Sequence, residues 1–281
     1  MWRPAVTEDG GLNALNASST VNHGNNRRIT ALIQARMSSS RFPGKVLALL
    51  WGEPIIQHVL RAVEATPGIR TVAVATSDQA SDDPLVEFLQ AADVAVVRGP
   101  LDNVLRRYQL GAQAYPADWV LRICADSPCV DTKILKAVAS HCHRSDVDLV
   151  TTRYPASFPK GQNAELIRTE RLLELNSDEL TAEECEHVTP YFYHHADRFG
   201  IVRIQPSQSD LKLRSLVVDT PVDLARLEQM SKNDLPVYDA AGMGWTFHPP
   251  RAGTVDARGA TTGRAQSPAS QPKSAEAPSH R

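Results

Sequence analysis

Apolar positions run almost unbroken through ITALIQA (29–35), TVAVAT (71–76), VAVV (94–97), WVLRICA (119–125) and VDLVTT (147–152). Short runs of this kind, bounded by turn residues, predict strands buried on both faces. Between them the apolar residues recur at helical spacing over 54–65, 82–91, 102–114 and 132–143. Strand and helix in alternation predict an α/β fold, a three-layer sandwich in which helices cover both faces of a mostly parallel sheet.

The rhythm changes after about residue 153. PASFPKGQNAELI (155–167) is followed by an acidic helix over 179–186, strands near 201–204 and 215–218, and a helix from Pro221 to about Met230. These elements are expected to extend the same sheet, to close over a substrate and to offer an oligomer contact, with a homodimer left open. Residues 1–28 are rich in Gly, Asn, Ser and Thr, and 247–281 in Pro, Gly, Ala and Ser, without apolar periodicity. Both are expected to be disordered, an arm and a tail flanking one domain over 29–246.

Composition narrows the partners. The 281 residues are 42% hydrophobic and 22% charged, with 30 Lys and Arg against 32 Asp and Glu. So even a balance gives no basic field for nucleic acid, although a few placed cations suffice for a small anion. No apolar run approaches the roughly 18 residues of a spanning helix, and the N-terminus lacks a signal-peptide pattern. A cytoplasmic location without membrane association is expected. The cysteines, Cys124, Cys129, Cys142 and Cys185, have neither disulfide-framework nor zinc spacing.

The candidate chemistry gathers where strands end. QARMSSSRFPGK (34–45) follows the first strand and carries Arg36, Arg41 and Lys45 in a loop of small residues turned by Pro43-Gly44. Guanidinium forks and an ammonium suit a triphosphate, and the carboxyl edge of a parallel sheet is where ligands bind. A Walker loop would need Gly at Ser39 and Ser or Thr at Val46, and no GxGxxG follows the strand. RICADSP (122–128) brings Asp126 to the same edge, a carboxylate able to hold Mg2+ or to cap the next helix. In VVDTPVDL (217–224), Asp219 alone reads as a cap ahead of Pro221. Paired with Asp126, it becomes a second metal ligand.

QARMSSSRFPGK, SDDP (81–84), RICADSP, FPKG (158–161), EHVTPY (186–191) and VVDTPVDL, in this order, resemble the spore-coat polysaccharide cytidylyltransferases, relatives of the synthetases that make CMP-KDO and CMP-sialic acid. The resemblance covers about 30–230. It implies the nucleotide-diphospho-sugar transferase (GT-A-like) type of fold, CTP and an acidic sugar as partners, and Mg2+ as cofactor. It also implies that Gln34, Ala35, Arg36, Met37, Arg41, Lys45, Thr76, Ser77 and Arg122 bind the nucleotide, with Arg36, Arg41 and Lys45 on the triphosphate and Thr76 and Ser77 near base and ribose. Asp126 and Asp219 would hold the metal, making Arg36, Lys45, Asp126 and Asp219 the catalytic set. Lys160, Glu165 and His187 would face the sugar, His187 as a candidate base. The chain departs from the family pattern at Ala125, where Gly is usual, at Ser38-Ser39-Ser40, and at Gln162-Asn163-Ala164-Glu165. Two alternatives stay open: a glycosyltransferase on the same fold, although its DxD motif could only be Asp146-Val147-Asp148, which begins a strand at the edge away from the ligand crevice, and a catalytically weak scaffold homologue.

Overall fold

The computed structural model describes residues 27–206, 215–231, 234–236, 238 and 243–251. The chain opens with β1 (Ile29–Gln34), whose side chains alternate between two faces: Ile29, Ala31 and Ile33 enter one apolar cluster and Leu32 another. A small hairpin of β2 (Leu49–Leu50) and β3 (Glu53–Pro54) leads into α1 (Ile55–Glu64). Then come β4 (Ile69–Ser77), α2 (Asp83–Ala91), β5 (Ala95–Gly99), α3 (Val104–Ala114) and β6 (Trp119–Cys124). The second half adds α4 (Thr132–Ala139), β7 (Leu149–Thr151), β8 (Glu165–Arg168), α5 (Thr169–Leu173), α6 (Ala182–His187), α7 (Pro190–His194), β9 (Ile201–Gln205), α8 (Pro221–Glu228) and β10 (Gly244–His248).

The main sheet has the order β10-β9-β7-β8-β6-β1-β4-β5. β6, β1, β4 and β5 are parallel, β8 is antiparallel to both β6 and β7, and β9 runs parallel to β7. From β1 the chain steps outward to β4 and β5 and then returns to β6 on the other side of β1. Because such crossovers are right-handed, opposite steps place their helices on opposite faces. Accordingly α1 and α2 pack on the face of Ile33 and Val74 and α3 on the face of Leu32, Ala73 and Val120; α4 joins the first group, beside Ile123, and α5 and α7 the second. Full burial of each such aliphatic side chain is worth about 1.5–3 kcal/mol. The step reversal between β1 and β6 opens a crevice beyond their carboxyl ends, the place where open α/β sheets bind ligands.

The α/β three-layer architecture stands, with corrections in the second half. Residues 215–218 form no strand: Leu216 N donates to Lys160 O (2.7 Å) and Val218 N to Asp126 O (2.9 Å), so the segment lies extended against two loops. Its alternation is real, since Leu216 and Val218 are buried beside Leu50, Ile55 and Leu227. Backbone contact is so close at Leu216 that a Cβ on Gly161 (φ +98°) would come within 2.7 Å of it. The helix expected over 179–186 starts at Ala182, where Thr181 and Glu184 close a capping box. That expected over 132–143 ends at Ala139. β8 and β10 appear where no strand was expected, and β10 reaches past residue 246. Residues 1–26 and 252–281 of the expected arm and tail lie outside the described residues. Among the described residues no helix is long and apolar enough to cross a membrane.

Candidate active site

Beyond Gln34 the chain folds back on itself. The Met37 carbonyl accepts from Ser39 N (2.9 Å) and Gly44 N (2.8 Å), and the left-handed Gly44 (φ 73°) starts a 3-10 turn over Lys45–Leu47. Asp82 anchors this loop from below. It accepts from Met37 N (2.7 Å), Thr76 Oγ1 (2.9 Å), Ser77 N (2.9 Å) and the Ser77 hydroxyl. Burial opposes the charge on Asp82, but these hydrogen bonds outweigh it and hold the carboxyl below its ordinary pKa.

The turn delivers Lys45 into the crevice, where it is only 8% exposed. Its Nζ donates to Asp126 Oδ2 and to Asp219 Oδ1, each at 2.9 Å. Burial works to lower the Lys45 pKa, yet the attraction and hydrogen bonds of the two carboxylates raise it above its ordinary value. Asp126 stands just past the end of β6. Asp219 arrives on the extended segment pinned to Asp126 and Lys160, and its other oxygen faces Arg41 (3.2 Å). It does not cap α8: Thr220 does, accepting from Asp223 N, while the Asp223 carboxylate returns the bond to Thr220 N. Asp131, likewise, caps α4 in place of Asp126.

The far wall comes from α6. That helix stops at Val188, whose backbone (φ 68°, ψ −53°) makes a γ-turn closed by Thr189 N on His187 O (2.8 Å). A β-branched residue is strained there, and the stop aims Glu186 and His187 at the crevice. Glu186 faces Arg36 at 3.5 Å.

A cavity of about 270 Å³ results, lined by Gln34, Ala35, Arg36, Arg41, Lys45, Asp126, His187 and Asp219 from the sequence-derived set. Met37, Thr76, Ser77, Arg122, Lys160 and Glu165 do not line it. Thr76 and Ser77 are fully buried with their hydroxyls on Asp82, and Met37 packs against the core. Arg122 and Glu165 form a buried ion pair (2.6 Å), in which Tyr193 also donates to Glu165 and Arg122 Nη2 to Gln34 Oε1 (2.9 Å). They position Gln34 from behind. Lys160 is exposed and contributes its carbonyl to Leu216. Ala125 packs in the core cluster and also lines the cavity.

Sequence reasoning missed Ser39, Ser40, Val104, Cys124, Arg107 and Glu186, which line the cavity as well. Glu186 had a signal, its place beside His187. Arg107 had none, being one arginine among polar residues of α3. It is 2% exposed, donates through Nη1 to the carbonyls of Pro100 (2.5 Å) and Leu101 (2.7 Å), and has its pKa lowered by burial. The Asp146-Val147-Asp148 motif lies at the amino end of β7, opposite the crevice. Asp148 is taken by Arg171 (2.9 Å) and Gly200 N (2.9 Å), and Asp146 by Arg144 (2.6 Å).

Comparison with known proteins gives the family and the fold. The chain is 26% identical over 211 residues to the spore coat polysaccharide biosynthesis protein SpsF of Bacillus subtilis (strain 168), covering 72% of this chain and 85% of that one. It is 34% identical over 115 residues to the 3-deoxy-manno-octulosonate cytidylyltransferase of Anaeromyxobacter dehalogenans (strain 2CP-C), covering 40% and 46%. In structure it resembles a cytidylyltransferase from Leptospira borgpetersenii serovar Hardjo-bovis, with TM-score 0.68, 26% identity, and 74% and 89% of the two chains covered. The family model for cytidylyltransferases matches residues 30–242, and the chain belongs to that family of nucleotidyltransferases.

Proposed function

We propose that the protein transfers CMP from CTP to a sugar acid with release of pyrophosphate, in the making of a surface polysaccharide or glycoconjugate. The observation that carries this reading is the convergence of Asp126 and Asp219 on one cation, Lys45 Nζ, at the β1/β6 crevice. Two carboxylates that can share an ammonium can also share a divalent ion. Among the described residues no group of three or more His, Cys, Asp and Glu gathers as a ready metal site. That fits Mg2+, which takes one or two carboxylates and completes its shell with water and phosphate oxygens. Asp126 and Asp219 would hold it, and it would supply neutralisation of phosphate charge.

Arg36, Arg41 and Lys45 each already face a carboxylate, so a triphosphate is bound by exchange of partners rather than by cations left bare. In the reaction a hydroxyl oxygen of the sugar attacks the α-phosphorus, the bond from that phosphorus to the bridging oxygen of the β-phosphate breaks, and pyrophosphate leaves in line. His187, exposed at the cavity wall, is placed to take the hydroxyl proton. Positioning and charge neutralisation dominate such transfers. The preference for a sugar acid draws support from the octulosonate specificity named for the Anaeromyxobacter relative.

The test is pyrophosphate release from CTP and a panel of sugar acids, alongside thermal shifts with each nucleoside triphosphate and Mg2+. Release with a sugar acid and a shift largest for CTP are expected. A glycosyltransferase or a scaffold would release none, and the engaged carboxylates of Asp146 and Asp148 already weigh against the former.

A further inference from the structure

Arg36, Arg41, Lys45 and Arg107 are the Arg and Lys side chains that line the cavity. The first three are already matched, Arg36 by Glu186, Arg41 by Asp219, and Lys45 by Asp126 and Asp219. Arg107 is not. Among the described residues its guanidinium is in contact with no carboxylate, although it is only 2% exposed. Burial pulls its pKa down, and the charges of Glu186 and Asp82 reach it only through space.

The way Arg107 is held decides which of its edges is open. Nη1 is committed to the carbonyls of Pro100 and Leu101, in the turn before α3, which fixes the plane of the guanidinium. Nε is buried without a partner, and Nη2 has none among the described residues. An edge of this kind grips two oxygens of one anionic group. A dry, unpaired donor is destabilising in a folded protein, so it points to a group that arrives later.

The place of Arg107 identifies that group. Gln34 and Cys124 are partners in the parallel register of β1 and β6, so both project to the α3 face of the sheet. Arg107 and Val104 rise from α3 on that side, and α6, packed on α3, adds Glu186 and His187. Lys45 arrives from the other side, where its turn buries Val46 in the opposite core, and it links Asp126 and Asp219, with Arg41 beyond. The cavity is thus two-sided. The side of Lys45 and Arg41 suits the pyrophosphate that leaves, and the side of His187 suits the hydroxyl that attacks. Attacking and leaving oxygens lie in line through the α-phosphorus, which places the α-phosphate between the two sides.

We infer that the Nε–Nη2 edge of Arg107 binds the non-bridging oxygens of the nucleotide's α-phosphate and neutralises their charge as the sugar hydroxyl attacks. The inference rests on the nucleotidyl-transfer reading above. Arg107 exchanges no proton: the new bond runs from the hydroxyl oxygen to the α-phosphorus, the bond to the bridging oxygen breaks, and pyrophosphate takes the electron pair. The role is electrostatic.

Calorimetry on the full chain with CTP, CMP, cytidine and pyrophosphate tests it, because CMP carries the α-phosphate alone. Arg107→Met should weaken CMP and CTP about tenfold or more, with Arg107→Lys intermediate, while cytidine and pyrophosphate bind as before. In turnover of CTPαS with 3-deoxy-manno-octulosonate, one diastereomer should be slowed in the wild type with Mg2+ and Cd2+ alike, and that penalty should vanish in Arg107→Met. A merely structural role for Arg107 would leave the penalty in place. Should Arg107→Met not fold, Arg107→Lys carries both comparisons. Unchanged CMP affinity, or an equal loss for cytidine or for pyrophosphate, overturns the assignment, as does a wild type that binds CTP and not CMP. A wild type that binds no CTP overturns instead the reading on which it rests.

Discussion

Asp82 shows how a polar residue beside the site can matter without touching a ligand. Its carboxylate ties the end of β4 to the loop that carries Arg36, Arg41 and Lys45, through Met37, Thr76 and Ser77. Because its folded pKa lies below that of the unfolded chain, near 3.9, the stability it contributes is fully present above that value. It is lost as pH falls through the lower folded pKa. Asp82→Asn should therefore lower the melting temperature at neutral pH, by about 1–3 kcal/mol of stability, and the gap to wild type should narrow in acid. Asp126 and Asp219 behave differently. Asp126→Asn and Asp219→Asn should each cost about a hundredfold or more in kcat, with melting little changed and the double variant scarcely slower than the worse single one. Near wild-type turnover in Asp219→Asn, measured by pyrophosphate release, would remove it from the site. Residue types and spacing brought this set to notice, because Arg36, Arg41, Lys45 and Asp126 follow strand ends and Asp219 follows a segment that alternates like one. They could not tell Thr76 and Ser77, whose hydroxyls bind Asp82, or Arg122 and Glu165, which pair with each other, from residues that line the cavity.

At the scale of elements, α8 settles what Asp219 is free to do. Thr220 and Asp223 form the capping box, so the carboxylate before them stays available to Lys45 and Arg41. Thr220→Ala should cost about 0.5–2 kcal/mol by thermal or denaturant unfolding, a loss Asp219→Asn should not share. The long apolar strands β1, β4 and β6 were legible because they are buried on both faces. β8 was not, since ELIR is short and bounded by Glu165 and Arg168, whose partners come from distant strands and loops. Residues 215–218 carried a strand pattern for another reason: Leu216 and Val218 bury themselves against loops, and alternation reports burial on one side rather than the partner that provides it.

For the whole molecule, the reversal of strand order between β1 and β6 assembles the cavity, and the nearby residues of the second half only complete it. The bridging ammonium of Lys45 has a consequence of its own for how the protein is made. The two clustered carboxylates, which would otherwise repel, are neutralised by a group the chain carries itself, so maturation does not wait on the supply of an ion. Treatment with a chelator should leave the melting temperature of the free protein where it was. In Lys45→Met, where the repulsion is left bare, millimolar Mg2+ should raise the melting temperature by mass action, and the protein's integrity would become hostage to the ion content of its surroundings.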